Sequence, residues 1–147
     1  MKTEKIKEMY FKYGLEKEDV FKHQHYVILT RSAIAKIQAQ EDIDIDYDII
    51  KSEPNFAAVK AIATKDNKTI RTMGSALKGN TFKEGNTNSW YVLEMAQKRA
   101  YARATLEILG LYEIGVKGED EAEDFKKSNN QEPHRHQKGQ DYGDGTF

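Results

Sequence analysis

Cysteine is absent from the 147 residues, which excludes a disulfide framework, thiol catalysis and thiolate zinc sites, and fits a reducing compartment. No apolar run approaches the ~18 residues of a membrane span, and the opening MKTEKIKEMYFKYG lacks the apolar core of a signal peptide. A soluble, cytoplasmic protein is therefore expected. Also missing are a phosphate-binding glycine motif, a nucleophile elbow and an HExxH pair. His23 and His25 are spaced i, i+2, as are His134 and His136, but no carboxylate or third histidine follows at a standard ligand spacing. With neither acid–base nor metal geometry in view, no catalysis, cofactor or metal is expected. Positive charge is not in excess either: the net charge is −1, which by itself argues against a nucleic-acid binder.

The distribution of charge says more than its sum. Residues 1–110 carry 18 Lys and Arg against 15 Asp and Glu, a balance of +3, whereas residues 111–147 carry 5 against 9, a balance of −4. Hydrophobic residues make up 38% of the chain and charged residues 32%, which suits a compact part with a charge-rich surface joined to an unfolded part. From Lys126 the composition turns polar, so the reading is one folded unit over 1–125 and a disordered tail over 126–147.

Within the folded part, Thr3 to Tyr13 has apolar residues at helical spacing and Gly14 to end it. HYVILT reads as a strand, and TRSAIAKIQAQ as a short helix capped by Thr30. IDIDYDIIKSE alternates, with Ile43, Ile45, Tyr47 and Ile49 on one face and Asp42, Asp44, Asp46 and Asp48 on the other. A row of acids on one strand cannot wrap a calcium ion, so a half-buried strand is the reading. FAAVKAIATK, with Ala57, Val59 and Ala61 facing away from Lys60, and TIRTMGSALKG follow as two more closely linked strands. The fold class expected is α+β: an antiparallel β-meander packed against one long C-terminal helix, with short N-terminal helices. A polar loop, KGNTFKEGNTNS, leads into that helix, which is expected to be capped by Asn88 or Ser89 and to end at Gly110.

This helix has two apolar faces. Leu93, Ala96, Ala100, Ala104 and Ile108 gather on one side, with Trp90 and Tyr101 at its edge; Met95, Ala102, Leu106 and Leu109 gather on another. The sheet would cover the first face. The second needs either the N-terminal helices or a neighbouring subunit. Between the faces lie Lys98, Arg99 and Arg103. Glu94–Lys98 and Arg103–Glu107 are i, i+4 pairs, but Arg99 has no acidic partner at helical spacing. With Lys60, Lys65, Lys68, Arg71, Lys78 and Lys83 these cations suit a groove that tracks phosphates, and Phe82, Trp90 and Tyr91 suit base stacking. The plainer reading makes Trp90 a core anchor and the charges surface decoration.

MAQKRAYARATLEILGLYEIGV followed by GEDEAEDF resembles a signature of phage single-strand annealing recombinases, the Erf/RecT-like group, and GSALKGN resembles that group's strand end and loop. The resemblance spans about residues 25–125. It implies a sheet-and-helix core and sequence-independent binding of single-stranded DNA in phage recombination or replication, in the host cytoplasm. Subunits would assemble as a homo-oligomer that promotes annealing. It assigns Lys98, Arg99 and Arg103 as helix cations and Lys60, Arg71 and Lys78 on the hairpin and loop; Lys83 and Trp90 complete the expected DNA-binding set. The last residues, QDYGDGTF, resemble the acidic tips of bacterial single-strand binding proteins, with Asp141, Asp144 and Phe147 as the matching positions and Thr146 in place of the usual proline. That implies docking of a replication or repair protein. The other reading is a phage inhibitor or adaptor that works by protein–protein contact.

Overall fold

The computed structural model describes residues 2–81 and 83–121; Phe82 and the whole of the expected tail, including Asp141, Asp144 and Phe147, lie outside the described residues. Helix α1 (Lys2–Tyr13) buries Met9 and Tyr13 and half-buries Ile6 and Tyr10, the 3–4 spacing of one helical stripe, and Gly14 ends it at φ 62°. A 3-10 turn over Lys17–Asp19 leads into β1 (Val20–His23), which pairs antiparallel with β2 (Tyr26–Leu29). Helix α2 (Arg31–Gln40) starts as its capping residue requires: the Ala33 amide donates to the Thr30 hydroxyl at 3.1 Å.

The three long strands are β3 (Asp44–Glu53), β4 (Phe56–Lys65) and β5 (Lys68–Leu77), antiparallel in that order. In β4 the period of two is carried through: Ala57, Val59, Ala61 and Ala63 are buried, while Lys60 and Ile62 between them turn to the open face. Helix α3 (Val92–Ile108) lies over β4 and β5, antiparallel to β5. The approach is very close at Gly74, where a Cβ would meet the Ala96 carbonyl oxygen at 2.3 Å and the Ala100 nitrogen at 2.5 Å. Ala96, Ala100 and Ala104 are fully buried here, and the Thr72 hydroxyl donates to the Ala100 carbonyl at 2.8 Å.

The other face of α3 is covered by the chain itself. Ala102 and Leu106 pack among Met9, Val27, Leu29, Ile34, Ile37, Leu111 and Val116. Part of that cover was not expected from the sequence. After α3, Gly110 and Gly115 take left-handed conformations (φ 70° and 86°) around a 3-10 turn over Leu111–Ile114. The chain then runs back as β6 (Val116–Gly118), parallel to β2, in a small sheet of order β1-β2-β6. The acidic turn next to it docks on α2: the Arg31 amide donates to Glu119 at 2.8 Å, and the Arg31 guanidinium pairs with the buried Asp120. Burial is the main influence on Glu119 and raises its pKa, against the Arg31 amide.

Two expectations need correction. α3 begins at Val92, not at Asn88 or Ser89, because Ser89 makes turn bonds instead: the Ser89 amide donates to the Thr87 hydroxyl (3.1 Å), and the Tyr91 amide to the Ser89 hydroxyl (3.0 Å). The helix is therefore 17 residues long, and it is followed by β6 rather than closing the fold alone.

Candidate nucleic-acid interface

β5 is an edge strand, and an edge leaves a row of backbone groups without a ladder partner. Here side chains take up that row. Arg103 donates to the Met73 carbonyl at 2.8 Å. Arg99 donates to the Ser75 carbonyl at 2.8 Å and to the Asn86 carbonyl at 3.0 Å. The Asn86 side chain accepts from the Leu77 amide (2.7 Å) and donates to the Ser75 carbonyl (3.3 Å), while its own amide donates to the Leu77 carbonyl (2.9 Å). Asn86 thus stands in for the next strand, and Arg99 ties the loop to β5. Gly85 permits this approach, since a Cβ there would meet the Leu77 oxygen at 2.3 Å.

Arg99 was expected to face a DNA groove. It is 5% exposed, with two of its donors committed to backbone carbonyls. These two partners lie on β5 and in the loop, so spacing along the helix does not reveal them. The anticipated Glu94–Lys98 and Arg103–Glu107 pairs are not among the ion pairs of the described residues. Arg103 turns to the Met73 carbonyl instead, and Lys98 stands exposed on the outer side of α3 beside Glu94 and Gln97.

What Arg99 and Asn86 hold in place is the approach to α3. Trp90 is 69% exposed and Tyr91 is 70% exposed, so the core-anchor reading of Trp90 is overturned. The Lys78 ammonium lies 4.1 Å from the centroid of the Trp90 ring, close enough for a cation–π contact. Lys78 itself is anchored, donating its amide to the Asn55 carbonyl at 2.8 Å, and Lys83 is exposed in the same loop. Both aromatic rings therefore stand on backbone fixed by hydrogen bonds, and the Lys78 ammonium lies against the Trp90 ring.

Lys60 and Arg71 are elsewhere. Cross-strand register puts them on the sheet face opposite α3, with Lys60 beside Met73 and Arg71 beside Ile62. Asp44, Asp46 and Asp48 share that face, and the Lys60 ammonium is 3.8 Å from Asp48. The open face is thus acidic along β3 and apolar to basic along β5, where Met73 and Leu77 are partly exposed. Lys65 and Lys68 are used structurally, donating to the carbonyls of Glu41 (3.0 Å) and Ile108 (3.5 Å).

The expected cations do not line one groove. Lys78, Lys83 and Trp90 share the loop; Lys60 and Arg71 share the open sheet face; Arg99 and Arg103 serve the β5 edge; Lys98 stands apart. Sequence reasoning missed the exposure of Ile49 and Ile50 at the far end of β3, 60% and 54%. Two consecutive isoleucines break the alternation there, and the register shift between Ile49 and Lys51 is its structural form. Neither a protein-family model, nor a curated protein, nor a solved structure matches this chain.

Proposed function

We propose that the protein binds single-stranded DNA without sequence preference, through the loop that precedes α3 rather than through the helix cations. The observation that carries this is the pair Trp90 and Tyr91, two adjacent aromatic rings about seven-tenths exposed, with the Lys78 ammonium over one of them. Exposed rings offer a flat apolar surface to any base, and a lysine such as Lys78 beside them attracts the phosphates that join those bases. Lys83 adds positive charge to the loop, whereas on the open sheet face Arg71 is exposed and Lys60 is paired with Asp48. Arg99 and Asn86 act as positioning residues that hold the loop. Binding involves no chemistry, and annealing by a homo-oligomer would follow from holding strands with their bases accessible. The C-terminal tip, with Asp141, Asp144 and Phe147, remains the proposed docking point for a replication or repair protein.

Trp90 is the chain's one tryptophan, so its fluorescence reports directly on the site. Titration with oligothymidylate at low salt is expected to quench it to saturation, and raising the salt should weaken the binding steeply as released counterions compete. A folded protein that shows no binding at low salt would sink the reading. The second reading, an adaptor that binds another protein, is favoured by the exposed apolar residues Met73, Leu77, Ile49 and Ile50. A mainly apolar contact of that kind would respond little to salt.

A further inference from the structure

The N-terminal layer contains a cleft that the strand-binding reading does not use. It opens between α1 and the β1–β2 turn and has a volume of about 300 Å³. Lys7 and Tyr10 line it from α1; Lys22, Gln24 and His25 line it from the hairpin; Ile6 and Val27 supply apolar wall. No Asp or Glu among the described residues lines it. Lys7 and Lys22 are exposed at its rim, and neither makes an ion pair with a described residue. This contrasts with Lys12 and Lys36 of the same layer, each of which has a carboxylate partner.

Like charges converging on a concave surface with no counter-charge create a positive potential that the low-dielectric walls concentrate. Two ammonium groups, a phenol, an amide and an imidazole are all able to donate hydrogen bonds into such a space, and a ligand with several acceptor oxygens would use them. The apolar wall asks for an organic part beside the anion, and the volume falls at the small end of the range for ligand pockets. We propose that this cleft binds a phosphate ester of nucleotide size, with Lys7 and Lys22 on the phosphate and the organic part against Ile6 and Val27. The phosphate can come from a free nucleotide or from one unit of a nucleic-acid strand. The proposal does not depend on Trp90, which belongs to a different part of the fold.

Amide resonances of the full-length protein, followed during titration with adenosine 5′-monophosphate, inorganic phosphate and a short oligothymidylate, test this directly. Residues 3–10 and 22–27 are expected to shift and saturate with adenosine monophosphate. Lys7→Ala/Lys22→Ala is expected to bind it at least tenfold more weakly while retaining a native spectrum elsewhere, because both side chains are exposed. Tighter binding of the oligonucleotide at the same residues would identify a strand as the source, and tighter binding of the monophosphate would identify a free nucleotide; either outcome supports the site. No saturable shift in this region with any of the three probes, or unchanged affinity in the double variant, would overturn it.

Discussion

The two faces of α3 meet neighbours of opposite kind. Toward β5 the helix comes in on alanines, and its backbone nearly touches the strand at Gly74. Toward the N-terminal layer, Leu106 inserts among Ile34, Ile37, Met9 and Val116. The first contact is close because atoms are absent, and the second is dense because large side chains fill the space. The first should therefore be intolerant of added atoms and the second of removed ones.

Gly74→Val is expected to have the largest effect on stability. The obstructing atoms are helix backbone, so the loss should reach or exceed the upper end of the ~1–3 kcal/mol typical of overpacking. Denaturant unfolding measures it, and a variant as stable as the parent would show that the contact between α3 and β5 tolerates added atoms. Leu106→Ala should cost about 3 kcal/mol through lost contacts and a residual cavity, since Leu106 is fully buried. Arg99→Met keeps much of the stem but removes both carbonyl bonds; a loss of about 2 kcal/mol is expected, together with faster hydrogen exchange in the loop at residues 83–89. Unchanged loop exchange would remove Arg99 from its positioning role. Trp90→Ala should change stability by less than about 0.5 kcal/mol, because the ring is mostly exposed. Its binding of single strands should nevertheless fall roughly tenfold or more, the scale of one lost stacking contact.

Acid should sharpen the contrast further, by acting on the N-terminal layer. The Tyr13 hydroxyl, donating to Glu41, holds that carboxylate below its usual pKa; burial opposes this, and Lys12 and Lys65 add to it. For Asp19 burial acts upward, but the Glu16 amide and the Lys36 ammonium outweigh it and the net shift is downward. Both groups have folded pKa values below their unfolded ones. Their stabilisation is complete above the ordinary carboxylate range and is lost as the pH falls through about 4 and below. Glu119, shifted upward, has the opposite sign: its contribution is greatest below its unfolded pKa and fades as the pH rises. Unfolding midpoints compared at about pH 7 and pH 3.5 should drop in the parent and drop less in Asp19→Asn/Glu41→Gln. An equal drop in both proteins would show that other groups dominate.

Much of the fold was legible wherever the physical cause is local. The Thr30 cap, the β4 alternation and the β3–β4–β5 meander follow from neighbouring residues alone. The two apolar faces of α3 were visible as well, although Met95 joins the sheet-side cluster rather than the other. β1 and β6 were not visible. β1 has four residues and its turn uses Gln24 at φ 56°, without a glycine to mark it; β6 has three residues and pairs with β2 from the other end of the chain. The candidate site was legible only as a set of residue types. Spacing along one helix cannot show that Arg99 reaches Ser75 and Asn86, nor that Lys60 and Arg71 stand on the far side of the sheet.

By itself the sequence determined the strand and helix periods, the two-faced character of α3 and the want of any metal or nucleophile motif. Those properties depend on residues a few positions apart. Tertiary structure decided which charges remain outside and what covers the second face of α3. Arg99 is drawn inward because an edge strand has carbonyls to satisfy, and Trp90 is left outside because the turn bonds of Thr87 and Ser89 delay the helix to Val92. Hydrogen-bond partners brought together across the chain settle both outcomes, and composition and periodicity carry no record of them.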